Sequence, residues 1–197
     1  MRRYLFLAGL FFASGCTLHR PDPTPVQAVR QYLAAATREA AVSRLSPDYR
    51  LWFGERKGPG IARESAAEML RWDYALHVAH DVRAIHSKDG VVTARVHEEN
   101  DFSRLIDFPG WDSTSTFLVD DYGQIAWQVY VPEPGQPEWR VYLDPALAWI
   151  REHRADALPV IFPDGKLGRS EEAARLWVTV LREWRAATGR ATPRPAR

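Results

Sequence analysis

Cysteine is nearly absent from this sequence: one in 197 residues, which excludes an internal disulfide and a cysteine-based zinc cluster. A surplus of one charge sign is also missing. The 26 basic and 25 acidic side chains leave a formal +1, and so no electrostatic footprint for nucleic acid. No apolar run reaches the ~20 residues that cross a bilayer as a helix. There is no internal repeat, glycine-rich phosphate loop, exposed-serine elbow or metalloprotease helix motif. Yet 46% of the residues are hydrophobic, too many for a wholly disordered chain, and the length suffices to bury one real core.

What is present starts at the N-terminus. Met1-Arg2-Arg3-Tyr4 precedes an uncharged apolar run over residues 5–13, the layout of an export signal. The junction Ala13-Ser14-Gly15-Cys16 resembles a bacterial lipobox, with alanine where leucine is usual. In such signals cleavage falls before the cysteine, which is then acylated. The competing reading is an ordinary secretory signal with an incidental cysteine. Lipidation of Cys16 is expected because the only cysteine stands at the one useful place. Each buried methylene of an acyl chain contributes about 0.8 kcal/mol, so two or three chains anchor firmly to a membrane. Thr17, not aspartate, follows the cysteine, and resemblance to Gram-negative sorting signals then implies the outer membrane, facing the periplasm. Cleavage removes Arg2 and Arg3, leaving 24 basic against 25 acidic side chains. The expected organisation is a signal peptide over 1–15, the lipidated cysteine and tether over 16–24, a domain over 25–134, a helical extension over 135–189 and a disordered tail over 190–197.

Thr24-Pro25 pairs an N-cap with proline at the first helical position, and Val26, Val29, Leu33 and Ala36 follow at helical spacing. Residues 25–45 therefore read as one long or one broken helix. A short strand over 49–53 and a helix over 62–75 follow. The period then changes. Residues 77–86 and 91–101, joined by Lys88-Asp89-Gly90, read as a hairpin, and residues 112–120 and 124–132 as a second. Residues 102–111 read as a loop between them. Four consecutive antiparallel strands behind helices indicate an α+β fold with helices packed on one sheet face. Two further helices are expected, one from Asp144-Pro145 and one from Ser170. In the second, Ala174, Trp177, Leu181 and Trp184 make one apolar stripe suited to a core.

This order of elements resembles the nuclear transport factor 2-like superfamily, which includes SnoaL-like and ketosteroid-isomerase-like proteins. Residues 25–133 carry the likeness, notably residues 98–105 (EENDFSRL), Pro109-Gly110-Trp111 and residues 119–125 (VDDYGQI). The resemblance implies a curved antiparallel sheet wrapped around N-terminal helices, enclosing a conical pocket. In this chain a two-helix extension follows. Such a fold hosts isomerases, dehydratases, epoxide hydrolases, cyclases and non-catalytic binders, so the resemblance fixes no chemistry. It also implies that a homodimer can form through the sheet.

Candidate chemistry falls into three groups. At the end of the second long strand, alternation places Glu98 and Asn100 on the face of Val92, Ala94 and Val96, where a desolvated Glu98 could serve as general base. The competing role for both is fixing the following loop through backbone hydrogen bonds. Beside them, Asp101 is another candidate base. In the preceding strand, His80 shares a face with Val82, Ala84 and His86, while Asp81 and Arg83 share the other. Asp81 with Arg83 resembles the proton-shuttling pairs of epoxide-hydrolase relatives but reads equally as a solvated ion pair. His77 and His80 point to opposite faces, so no compact metal-ligand pair remains, and no cofactor is implied. The third group is aromatic: Trp72, Tyr74, Trp111, Trp127 and Tyr130 suit an apolar ligand or an ordinary core. The sequence alone supports a lipid-anchored envelope protein that binds a small apolar ligand or a protein partner without catalysis. The alternatives are a hydrolase, isomerase or dehydratase with a carboxylate base, and a structural or oligomerisation module.

Overall fold

Side-chain caps decide where the helices of this chain begin. Our computed structural model describes residues 24–191 and 193, so the Cys16 lipobox, most of the tether and most of the tail lie outside the described residues. Thr24 Oγ1 accepts from the Gln27 amide at 3.3 Å, Gln27 Oε1 accepts from the Thr24 amide at 3.1 Å, and Pro25 opens α1 (Pro25–Leu33). This reciprocal pair satisfies two donors that would otherwise lack helical partners. The run to residue 45 is broken because Thr37 caps a separate α2 (Arg38–Val42), its hydroxyl accepting from the Ala40 amide at 3.2 Å. Next come β1 (Leu45–Phe53), longer than the expected strand, β2 (Ile61–Ala62) and α3 (Arg63–Ala75). The two hairpins follow as β3 (Ala79–Lys88) with β4 (Val91–Glu99), and β5 (Trp111–Val119) with β6 (Ile125–Pro132).

The six strands form one curved sheet in the order β2-β1-β6-β5-β4-β3. Its pairs are antiparallel apart from β1 with β6, a parallel pair the sequence did not disclose. In the β3–β4 turn both Asp89 and Gly90 have positive φ, the conformation that suits the twist of a two-residue hairpin. Where a loop was expected between the hairpins, Asn100 and Ser103 form a buried capping box that starts α4 (Asp101–Leu105). The C-terminal part also departs from expectation. Its described residues form three α-helices rather than two: α5 (Trp139–His153), α6 (Leu158–Ile161) and α7 (Glu171–Ala187). Helix α5 starts five residues before the Asp144-Pro145 signal because Glu138 caps it, its carboxylate accepting from the Arg140 amide. Pro145 cannot bond the Val141 carbonyl one turn back, and Val141 is exposed, so water can serve that carbonyl.

Two apolar clusters result. In the first, Val29 and Leu33 of α1 pack on Tyr49, Val92, Ala94, Val96 and Phe117 from the inner sheet face. In the second, Trp72, Leu76, Phe102 and Phe108 pack on Leu143, Leu147, Ile150, Trp177, Leu181 and Trp184. The α7 stripe is thus core. Among the described residues, no helix is long and apolar enough to cross a membrane.

Candidate functional site

Helix α3 repeats Ala66, Met69, Leu70 and Asp73 at spacings of three and four, so a carboxylate stands on its apolar stripe. All four line a cavity of about 410 Å³ enclosed by α1, α3, the inner sheet face and the C-terminal part. Leu33, Leu51, Val96 and Phe102 supply apolar wall, and the polar groups gather in two sets.

The first set is Asp73, His80 and Glu98. Strand register places His80 of β3 directly opposite Glu98 of β4, with His80 Nε2 3.6 Å from Glu98 Oε2. His80 Nδ1 lies 3.1 Å from the Leu33 carbonyl oxygen, which can only accept, so Nδ1 carries hydrogen and Nε2 faces Glu98. Burial opposes a charged imidazole, but the hydrogen bond and charge of Glu98, the Leu33 carbonyl and Asp73 together outweigh it. His80 is therefore held above its ordinary value. Asp73 goes the same way for a different reason. Burial and then the neighbouring Glu98 charge raise it to about 7, with His80 and Arg169 offsetting only part of the rise. No polar side-chain atom among the described residues is sealed off without a partner, and no donor among them bonds the Asp73 oxygens, so those oxygens open to the cavity. Asp73, raised to about 7, and His80, held above its ordinary value, can therefore exchange protons with a bound molecule.

The second set lies further along the sheet. Tyr49 donates to Gln128 Oε1 at 3.0 Å, and Gln128 Nε2 donates to Ser115 Oγ at 3.2 Å. Tyr130, paired with Ser115 across the sheet, is pushed up to about 12 by burial and by Glu98, so its hydroxyl stays protonated and able to donate.

Of the residues singled out from sequence, Trp72, Tyr74, His80, Glu98, Asn100, Trp111 and Tyr130 line the cavity. Trp127 does not. An irregularity between Leu118 and Val119 opposes Ala126 as an extra residue, so Ile125 and Gln128 face inward while Trp127 turns outward. There it receives the Arg56 guanidinium 4.7 Å from its ring centroid. A similar irregularity at Arg83 ends the alternation expected of β3: His80 and Val82 share the inner face, but Ile85 replaces Ala84 there and His86 is exposed. Asp81 points outward near Arg83 at 3.8 Å, and Arg83 reaches Asp112 at 2.7 Å, a solvated pair remote from the cavity. Asp101 also stands outside. Burial would raise its carboxyl, but bonds from Arg104 at 2.8 Å and His77 at 2.6 Å outweigh that and hold it below the carboxylate range. Asn100 serves the α4 cap, and the Tyr74 hydroxyl is committed to the Ala35 carbonyl at 2.9 Å. Among the described residues no three His, Cys, Asp or Glu side chains meet as a metal set.

Asp73, Tyr49, Gln128 and Arg169 are cavity residues that sequence reasoning passed over. Only Asp73 carries a local signal, an acid at the i+7 position of an apolar helical stripe.

No family model matches the chain, and no curated protein matches it in sequence. Solved structures do. An NTF2-like protein of unknown function from Cytophaga hutchinsonii is 13% identical, with a TM-score of 0.43, over 56% of this chain and 91% of its own. The epoxide hydrolase/cyclase-like enzyme SalBIII, of pyran-ring formation in salinomycin, is 11% identical, with a TM-score of 0.48, over 57% of this chain and 92% of its own. A candidate SnoaL-like polyketide cyclase from Shewanella denitrificans is 14% identical, with a TM-score of 0.45, over 56% of this chain and 91% of its own. The likeness is one of fold: the chain is similar to NTF2-like and SnoaL-like structures in its curved sheet and helices.

Proposed function

We propose that this is a lipid-anchored envelope protein whose cavity binds a small, largely apolar molecule and moves a proton on it. The observation that carries the reading is Asp73, a carboxyl with no donor among the described residues, in an apolar-walled cavity beside Glu98 and His80 and with its proton affinity near neutrality. A general base works best when its pKa lies close to the working pH. The deprotonated Asp73 would take a proton from a carbon, a hydroxyl or a water in the cavity. The Tyr130 hydroxyl, which is in hydrogen-bond contact with Ser113, would donate to oxygen that gains charge, and the imidazolium form of His80, stabilised by Glu98, can return a proton. This is the chemistry of isomerisation, dehydration or hydrolysis, which the sequence reading held as the alternative to binding alone.

A probe that needs only proton removal tests it. 5-Nitrobenzisoxazole is small and flat, and its ring opens once one proton is lost. The expected outcome is saturable turnover that rises with pH through about 7 and falls at least tenfold in Asp73→Asn with the fold intact. Equal rates in the wild type and Asp73→Asn at every pH would leave only ligand binding. The anchor is tested separately: Cys16→Ser should shift the protein from the membrane to the soluble fraction of the cell envelope, and unchanged membrane retention contradicts it.

A further inference from the structure

Arg169 takes no part in that chemistry, yet it lines the cavity. It sits between α6 and α7, in the part of the chain expected to be an extension, and reaches the cavity together with Leu167 and Trp139. As a residue it is exposed, while its charge is felt within, favouring the ionised forms of Asp73 and Tyr130. A guanidinium that is both solvated and cavity-lining stands at the mouth. The ion pairs made by α7 engage Arg175 with Glu171 and Glu183 with Arg154, and among the described residues no ion pair uses Arg169.

The segment that carries it is held on both sides. The Gly168 amide donates to the Ile161 carbonyl at 2.9 Å, and the Gly168 backbone lies so close to Val160 that a Cβ would collide with its carbonyl oxygen. On the other side Ser170 Oγ accepts from the Ala173 amide at 3.0 Å and fixes the start of α7. Arg169 is therefore presented from a fixed backbone, which limits the ordering cost of binding.

We propose that Arg169 is the anion-binding group of this cavity, so that its ligand is an amphipathic acid. The ligand's carboxylate or other oxyanion would meet Arg169 at the mouth, and its apolar body would lie along Trp72 and Phe102. Its reacting group would reach Asp73. The orientation follows from charge. The acidic Asp73 and Glu98 disfavour an anion beside them, whereas the planar guanidinium fork of Arg169 matches a carboxylate with two hydrogen bonds. A neutral ligand of the same shape leaves Arg169 in water and gains nothing from it.

The proposal rests on the reading of the cavity as a ligand site, and a matched pair of probes separates the two. 8-Anilinonaphthalene-1-sulfonate and N-phenyl-1-naphthylamine share an aromatic body and differ in the sulfonate. Both are titrated by fluorescence at low salt into the mature chain, its Arg169→Gln variant and its Arg169→Lys variant. The expected result is a ~5–10-fold loss of affinity for the sulfonate probe in Arg169→Gln, with the neutral probe changed by less than about twofold. Arg169→Lys should recover part of the loss, since it keeps the charge without the fork. Binding of both probes with no selective loss in Arg169→Gln overturns the anion assignment and leaves the cavity reading standing. Failure of the wild type to bind either probe overturns both.

Discussion

Asp73 keeps its proton because the apolar cavity cannot solvate its charge and Glu98 already holds one. Its proton affinity in the fold exceeds the ordinary value of 3.8, so between about 4 and about 7 the folded state binds more protons than the unfolded. The contribution to stability is complete below that window and is lost as pH rises through about 7. His80, raised above 6.5, acts in the same sense: its contribution is full below 6.5 and lost as pH rises through its folded value. Asp101, held low, acts oppositely and only below its ordinary 3.8. Thermal unfolding of the wild type should therefore show a melting temperature that falls from pH 5 to pH 8. Asp73→Asn should flatten the profile and raise the melting temperature at pH 8 by ~3–6 °C, the equivalent of ~1–2 kcal/mol. A profile that rises over this range and is identical in the variant contradicts the assignment. Little of this was legible in the sequence. Glu98 and His80 could be placed on inner strand faces by alternation, but Asp73 acquires meaning only when α3 packs over the sheet and brings it to Glu98.

Strands and helices were legible where local chemistry is unambiguous. Asp89-Gly90 marked the first hairpin's turn, although its first strand runs over 79–88 and not 77–86, and Thr24 and Ser170 marked two helix starts. Elements were misjudged where one residue changes phase. The extra residues at Arg83 and Ala126 carry no composition signal, and the second turns Trp127 outward. Asn100 starts a helix where a loop was expected because its cap partner, Ser103, is buried with it. The same corner holds Gly110, with φ +94°, where an added Cβ would lie 2.5 Å from the Glu98 carbonyl oxygen. Gly110→Ala should cost ~1–3 kcal/mol in chemical unfolding, from strain and displaced backbone. It should also reduce turnover of the proton-removal probe by moving Glu98. A variant of unchanged stability and turnover would show that this approach does not position the site.

Across the whole molecule, the C-terminal helices are part of what holds the cavity together. The C-terminal part supplies 12 of the 18 buried residues of one core cluster, and its Trp139, Leu167 and Arg169 reach the cavity itself. Sequence reading found the α7 stripe but could not show what it covers, because its partners Trp72, Phe102 and Phe108 lie some 70–100 residues earlier. Ending the chain at residue 134 would uncover the large side chains of α3 and α4, an apolar face well beyond an ordinary monomer surface. The shortened chain should be insoluble, or soluble without a cooperative unfolding transition. A soluble fragment that unfolds cooperatively would show that α5–α7 are an appendage.

The central claim is that the cavity holds a carboxyl group poised at neutral pH. Carbon-13 NMR titration of the aspartate side-chain carboxyls, with Asp73→Asn used to assign the resonance, measures this directly. The expected midpoint for Asp73 is about 7. A midpoint near its ordinary 3.8 would mean that the site is solvated and cannot act as proposed.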